Sequence, residues 1–396
     1  MLSVEEARAR MLAGVSPGPP ETVSLEAAIG RVLAEAVTAV RDQPPYDASA
    51  MDGWAVRQAD LGGAPLRVQG ESAAGAPFAD ALAPGAAVRV FTGARVPEGA
   101  DRVVMQEEAR REGEHVAFEP VGDTRHVRPR GGDFRAGQEL LARGARIDPW
   151  RLALAASAGR AELLVAPRPR LAILSTGEEI VEAGQPAGDH QIFESNGPAL
   201  AARARAWGGD PVRLKPARDD EAAIAAAVEG ADAELIVTVG GASVGDHDLV
   251  KPALRRLGLE LSVESVAVRP GKPTWFGRLA DGRRVLGLPG NPASALVCAE
   301  LFLRPLLLTW QGADPAFPLR SVRLAAPLGA TGPREHWMRA RLEPSPDGAT
   351  LARLFPDQDS SLVAVFAAAD ALIRRRAGAP AMKAGAVVEA LGLERL

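Results

Sequence analysis

The chain has 396 residues, which is too long for one ordinary domain and predicts two to four folding units. Hydrophobic residues make up 47% of it and charged residues 24%, a globular balance with ample material for packed cores. The formal net charge of -4 argues against a large non-specific nucleic-acid surface, so we expect no nucleic-acid partner.

Cysteine and histidine usage restricts the metal chemistry. Cys298 is the single cysteine, so it cannot form an internal disulfide, and structural zinc or iron–sulfur sites would need several thiolates. The five histidines show no HExxH motif or other close metal-ligand spacing. Any metal used here should therefore be a hard cation bound through oxygen ligands.

The N-terminal region has a helical pattern. Ser3 and Glu6 form a predicted capping box that opens a helix. Further apolar residues recur at helical spacing, which predicts helical structure to about residue 40. That apolar face consists of Leu25, Ala28, Ile29, Val32 and Leu33.

The sequence predicts a cytoplasmic protein without membrane contact. Its N-terminus lacks the positive start and apolar run of a signal peptide. The most apolar stretch, residues 293–310, is interrupted by Glu300, Arg304 and Pro305, which favours a core helix over a membrane span.

Four regions follow along the chain. Residues 43–137 are rich in Gly, Pro and short alternating runs, which predicts an inserted β domain. Residues 138–167 return to a helical pattern at 149–159 and should rejoin residues 1–42 as an N-terminal helical or linker domain. Residues 168–312 and 313–396 form the two remaining predicted domains.

Residues 168–312 alternate strands with helices. Strands are predicted at 171–174, 212–214 and 235–239, and helices at 198–207, 221–229 and 249–257. This βαβ rhythm is typical of a parallel, doubly wound sheet. The remainder is β-rich, with a predicted turn at residues 346–348, so the fold class is a multi-domain α/β protein with a C-terminal β-barrel-like domain.

Two glycine-containing loops follow predicted parallel strands, where ligands usually bind. They read STGEE at residues 175–179 and GGASVGDHD at 240–248. Glycines there let backbone N–H groups, such as those of Gly240, Gly241 and Ser243, approach an anion closely, and the N-terminus of a following helix adds a favourable dipole. A tight turn that needs glycine for a positive φ is an equally good interpretation of one such loop alone.

Known nucleotide-binding fingerprints do not fit these loops. Residues 240–248 contain no GxGxxG, and RPGKP at 269–273 is no Walker A loop because Pro273 follows Lys272. The rigid loop GLPGNPAS at 287–294 opens a helix and presents backbone polar groups there. Taken alone, it is more simply a helix N-cap.

Together these loops resemble the molybdopterin-binding domain of molybdenum-cofactor biosynthesis proteins. Further segments are similar to signatures of the molybdopterin molybdenumtransferase (MoeA) family: PPYDASAMDGWAV at 44–56, FTGARVP at 91–97 and RGGD at 130–133. Each motif is weak by itself, whereas the ordered set over nearly the whole chain is specific.

The resemblance implies that adenylylated molybdopterin and molybdate react to give molybdenum cofactor and AMP, with Mg²⁺. Residues implied in catalysis are Asp52, Thr92, Asp133, Glu179, Asp219, Asp248, Arg269 and Lys272, with Glu179 and Asp248 holding the metal. Residues implied in substrate binding are Ser175, Thr176, Gly177, Gly240, Gly241, Ser243, Gly245, Pro289, Gly290, Asn291, Pro292 and Ser360.

Each implied residue also has a local interpretation. Asp52 and Asp133 suit solvated turns, and Arg269 and Lys272 suit solvated surface. Glu179, Asp219 and Asp248 are expected at helix starts, where the helix dipole favours an acid. Ser360 follows Asp359, where the family pattern has glycine, and Ser265 stands where many relatives carry lysine.

The resemblance further implies a homodimer whose site is completed by the partner's β domain, with contacts to molybdopterin adenylyltransferase and molybdoenzymes. Two alternative functions stay open: an adenylyltransferase-like enzyme that shares the central domain, and a non-catalytic molybdopterin-binding scaffold.

Overall fold

The computed structural model describes residues 1–241 and 249–393. The N-terminal region contains one helix. Its first elements are α1 (Val4–Leu12), β1 (Glu21–Ser24) and β2 (Val37–Thr38). The predicted capping box is confirmed, because Ser3 Oγ accepts from the Glu6 N–H and the Glu6 carboxylate accepts from the Ser3 N–H.

The predicted helical structure between residue 13 and about residue 40 is wrong. This stretch consists of short strands and turns, and Gly30 has φ +76°. Leu33 is nevertheless buried beside Ala28 and Val37, in a core shared with residues 141–165. The apolar spacing therefore reflects burial along an irregular chain and not a helix face.

The inserted segment forms a six-stranded sheet in the order β7-β4-β6-β5-β9-β8. Its side chains alternate between two faces: Ala55 packs into one apolar cluster, and Trp54 and Val56 pack into the other. The strands are β3 (Ala48–Ser49), β4 (Gly53–Val56), β5 (Leu66–Ser72), β6 (Ala86–Val90), β7 (Arg102–Met105), β8 (Ala109–Glu112), β9 (His115–Phe118) and β10 (Val127–Arg128).

The chain then returns to the N-terminal region through β11 (Glu139–Leu141), α2 (Pro149–Ser157) and β12 (Glu162–Val165). β11 pairs with β2 and β12 pairs with β1, both antiparallel. Asp148 caps α2 by accepting from the Arg151 N–H at 2.8 Å. Where each folding unit begins and ends stays a prediction.

A mixed six-stranded sheet follows, in the order β16-β13-β17-β21-β20-β18. Its first four strands are parallel, as predicted, and β20 and β18 add antiparallel edges. The elements are β13 (Arg170–Ser175), β14 (Ile180–Val181), β15 (Ile192–Phe193), α3 (Asn196–Ala206), β16 (Asp210–Arg213), α4 (Glu221–Glu229), β17 (Leu235–Val239), α5 (Val250–Arg255), β18 (Glu260–Val263), β19 (Val268–Arg269), β20 (Trp275–Arg278), β21 (Arg284–Leu288), α6 (Pro292–Cys298) and α7 (Arg304–Trp310).

Helices cover both faces of this sheet. Alternate residues of β13 point to opposite sides: Leu171 and Ile173 pack toward α3, α6 and α7, and Ala172 and Leu174 pack toward α4 and α5. Within the described residues, the segment Pro292–Trp310 has the length and composition of a membrane span, yet 78% of it is buried inside the protein. It packs as the predicted core helix.

The C-terminal region is a closed five-stranded barrel in which β23-β24-β22-β26-β25 returns to β23. β19 adds to it in parallel with β23, which joins the barrel to the α/β sheet region. The predicted turn is confirmed, since Gly348 has φ +82° between paired strands. The elements are β22 (Leu319–Leu324), β23 (Glu335–Pro344), β24 (Thr350–Leu354), α8 (Val363–Ala368), β25 (Ala371–Arg375) and β26 (Val387–Gly392).

Candidate active site

Three neighbouring parallel strands, β13, β17 and β21, end at one edge of the sheet. The Thr176 N–H donates to the Val239 carbonyl at 3.0 Å, and the Gly240 N–H donates to the Leu288 carbonyl at 3.3 Å. These bonds place the two glycine loops and the Pro289 loop side by side, as the sheet topology predicts. The loops border a cleft of about 1050 Å³.

Most of the predicted site residues line this cleft, from both the α/β region and the barrel. They are Ser175, Thr176, Gly177, Glu179, Asp219, Gly240, Gly241, Arg269, Lys272, Pro289, Gly290, Asn291, Pro292 and Ser360. The predicted residues Ser243, Gly245 and Asp248 lie outside the described residues.

The glycine turns pack tightly against neighbouring chain. Gly240 (φ +95°) has room for no side chain, because a Cβ there would lie 2.6 Å from the Thr176 carbonyl oxygen. Gly241 has φ +57°, so the turn interpretation holds for both. The Leu288 carbonyl accepts from the Gly240 N–H, so this donor is already engaged at the sheet edge, and its contact with an anion stays a prediction.

Thr176 supplies a polar group to the cleft. Its hydroxyl is buried and has no hydrogen-bond partner among the described residues. A buried hydroxyl without a partner costs free energy on the order of 1–3 kcal/mol, which a bound ligand group would offset.

The Pro289 loop is joined to the barrel. Asn291 stands at the N-cap of α6, but its side chain makes no cap bond and its Nδ2 donates to Ser360 Oγ at 2.8 Å. The Ala293 N–H also donates to the Ser360 carbonyl, at 2.9 Å. Asn196, at the start of α3, donates from Nδ2 to the Gly290 carbonyl at 2.7 Å. The simple N-cap interpretation is therefore wrong for Asn291, whose amide fixes one wall of the cleft.

Two predicted carboxylates border the cleft and are exposed. Asp220 caps α4 by accepting from the Ala223 N–H at 2.8 Å, which leaves Asp219 at the cleft. Glu179 does not lie at a helix start, contrary to expectation, because β14 and β15 intervene before α3. Its position follows the Gly177 turn instead.

A buried acid next to these residues escaped the sequence analysis. The Glu194 carboxylate is 5% exposed and accepts from Ser175 Oγ at 2.6 Å and from the Gly197 N–H at 2.7 Å. The Arg213 guanidinium donates to its other oxygen at 2.5 Å. With three charged or polar partners, Glu194 holds Ser175 and the start of α3 in place.

Three cations line the described part of the cleft: Arg269, Lys272 and Arg334. Arg334 precedes β23 and was not predicted. Two of them, Arg269 and Arg334, help to lower the pKa of His336 to about 4, after burial, which is the largest cause, and together with Arg339. This side of the cleft therefore favours anions.

The carboxylates of the inserted β domain lie away from the cleft of this chain. Thr92 donates to Asp52 Oδ1 from its N–H at 2.7 Å and from its hydroxyl at 2.8 Å, and these bonds lower the pKa of Asp52. Asp133 is exposed. No lining residue comes from positions 43–137. The single chain thus brings Asp52 and Thr92 together but does not bring them, or Asp133, to the cleft.

The described residues contain no group of three or more His, Cys, Asp or Glu side chains placed to hold a metal ion. Cys298 is fully buried, and desolvation raises the pKa of its thiol to about 12. Cys298 therefore packs as a small core residue.

Comparisons with known proteins cover nearly the whole chain. Three family models match: the MoeA N-terminal region (domain I and II) at residues 2–159, a "probable molybdopterin binding domain" at 172–309, and the MoeA C-terminal region (domain IV) at 321–393. The crystal structure of the molybdopterin biosynthesis moeA protein from Pyrococcus horikoshii OT3 is similar, with a TM-score of 0.85 and 25% identity over 99% of this chain and 100% of that chain.

Curated relatives carry one name. Molybdopterin molybdenumtransferase 2 of Mycobacterium tuberculosis is 40% identical over 339 residues, which is 82% of this chain and 84% of the relative. Molybdopterin molybdenumtransferase of Staphylococcus aureus strain N315 is 31% identical over 398 residues, with 98% and 94% covered. With this identity over four fifths or more of its length, the chain belongs to the MoeA family.

Proposed function

We propose that the chain is a molybdopterin molybdenumtransferase, which transfers molybdate to adenylylated molybdopterin and releases AMP in the cytoplasm. The observation that carries the proposal is the cleft itself: three cations face glycine turns and two exposed carboxylates, in a chain whose relatives bear this name. Both substrates are anions, and this charge pattern attracts them.

The cationic side is assigned to the anions. Arg269, Lys272 and Arg334 would attract molybdate and stabilise charge as the phosphoanhydride breaks. The Ser360 hydroxyl and the Thr176 hydroxyl, which has no hydrogen-bond partner in the described part of the chain, are suited to hydrogen-bond phosphate oxygens. The dithiolene sulfurs belong to the substrate, so the enzyme uses no cysteine.

Magnesium fits the oxygen donors present. Glu179 offers an exposed carboxylate at the cleft, and Mg²⁺ typically binds one or two carboxylates together with substrate phosphates. When bound, the cation would polarise phosphoryl oxygens. The second proposed ligand, Asp248, lies outside the described residues.

The carboxylates Asp52 and Asp133 are assigned to a cleft of a second subunit. Within one subunit the lining comes from the α/β region and the barrel, and positions 43–137 contribute nothing to it. A homodimer that sets the inserted β domain of one subunit against the cleft of the other would complete the site.

The test is AMP release. Purified protein with adenylylated molybdopterin and Mg²⁺ should release AMP only when molybdate is added. Lys272→Ala should lower the rate at limiting molybdate by about tenfold or more, since a charge-assisted contact is lost. Lys383→Ala, which removes an exposed lysine outside the cleft, is the matched control.

Two results would overturn the proposal. One is AMP release that is independent of molybdate. The other is formation of the adenylate from ATP and unmodified molybdopterin, which would assign the chain to the adenylyltransferase class instead.

A further inference from the structure

One wall of the cleft is apolar. The apolar ledge consists of Ile180, Ile192 and Phe193, which border the cleft beside Glu179. Phe193 is the single aromatic residue among the described lining residues, and 55% of its surface is exposed. Ile192 is 58% exposed. A ligand that covers such solvent-exposed apolar side chains at the mouth of a polar cleft lowers the free energy of the complex.

The backbone on both sides of Phe193 is fixed. The Ile192 N–H donates to the Glu179 carbonyl at 2.7 Å, and the Glu194 N–H donates to the Val181 carbonyl at 2.8 Å. The next side chain, Glu194, is buried among its three partners. Phe193 therefore extends from the paired strands β14 and β15, whose backbone is fixed, and ordering its ring when a ligand binds costs little conformational entropy.

We infer that Phe193 is a substrate-positioning residue whose ring stacks on a planar, fused-ring nitrogen heterocycle. The inference rests on the proposed function, because adenylylated molybdopterin carries two such rings, a pterin and an adenine. Aromatic faces prefer offset or edge-to-face contact with other rings, and this contact tolerates either heterocycle. The ledge would set where the heterocycle lies while the cations hold the charged groups.

The experiment measures binding without turnover. AMP and pterin-6-carboxylate are titrated separately into the full chain, and the two ligands distinguish the adenine from the pterin. Phe193→Ala and Phe193→Leu should each weaken binding of at least one ligand about tenfold or more, the range expected for a lost base-stacking contact. Phe193→Trp should keep the affinity, because it restores an aromatic face.

Controls separate stacking from general damage. Trp150→Ala removes an aromatic residue that is 83% exposed and lies outside the cleft, and it should leave both affinities unchanged. Molybdate binding should stay the same in Phe193→Ala, because Arg269, Lys272 and Arg334 are intact.

Three results would overturn the inference. The first two are wild-type affinity for both AMP and pterin-6-carboxylate in Phe193→Ala, or the same in Phe193→Leu. The third is a changed oligomeric state of Phe193→Ala with unchanged binding of both ligands, which would make the ledge a contact between chains. The inference and the proposed function fail separately. Absence of molybdate-dependent AMP release by the wild-type chain would refute the proposed function. The affinities of the Phe193 variants for AMP and pterin-6-carboxylate test the stacking contact, and they are measured without turnover.

Discussion

His336 pairs in register with Arg269 where the barrel joins the α/β region, and its environment disfavours a positive charge. Burial and the nearby Arg269, Arg334 and Arg339 lower its pKa to about 4. In an unfolded chain the histidine pKa is near its ordinary value of 6.5. Between about pH 4 and pH 6.5, His336 is therefore protonated in the unfolded state and neutral in the folded state. Stability is therefore full above about pH 6.5 and falls as the pH drops toward 4.

His336→Gln should remove this pH dependence. Between pH 7 and pH 5 the wild type should lose about 1–2 kcal/mol more unfolding free energy than the variant, after allowance for solvent screening of a partly exposed group. Urea unfolding at the two pH values measures the difference. Equal losses in both proteins would show that His336 titrates normally in the folded chain.

Single residues without a pattern were the hardest part of the site to predict. Glu194 and Arg334 belong to no recognisable motif, and Asn196 contacts Gly290 across 94 positions of sequence. Only the folded chain brings them to one cleft. Gly240, by contrast, stands in a loop that follows a predicted strand and whose glycines already predicted a turn, and Lys272 was implied by the family resemblance.

At the scale of elements, the turn after β17 can be tested with a pair of glycines. Gly240 and Gly282 have nearly the same φ, +95° and +90°, but only Gly240 packs against backbone, at the Thr176 carbonyl. Gly282→Ala should lose about 1–2 kcal/mol for the positive φ alone, and Gly240→Ala should lose a further 1–3 kcal/mol or so for the clash. Unfolding by denaturant measures both losses, and equal values would mean that the neighbouring carbonyl moves aside freely.

Element types were predictable where pattern and length agreed. Strands β13 and β17 are unbroken apolar runs buried on both faces, and they were found within a residue or two. The helix prediction for residues 25–33 was wrong because side chains buried in a small irregular core can recur at helical spacing without a helical backbone. Glu179 was misplaced for another reason: a two-residue strand pair such as β14 and β15 is too short to leave a periodic signal.

At the scale of the whole molecule, the sequence could not say which subunit supplies which group. The motifs containing Asp52 and Asp133 and those lining the cleft were expected to meet, and within one subunit they do not. The two hydrogen bonds from Thr92 lower the pKa of Asp52 and so favour its ionised carboxylate. A fixed, ionised and exposed carboxylate on the inserted domain is the form that a neighbouring subunit's cleft would need.

Mixing two impaired variants, assayed at limiting molybdate, tests this arrangement. Asp52→Asn removes the charge contributed by the β domain, and Lys272→Ala removes a cation of the cleft, so in the proposed homodimer both sites of each variant are defective. In a mixed dimer one site receives both defects and the other receives none. Random exchange of subunits should therefore restore about a quarter of the wild-type rate of molybdate-dependent AMP release. If the rate after mixing does not rise above that of the two separate variants, although sedimentation shows that mixed dimers have formed, then Asp52 acts on the cleft of its own chain or not at all.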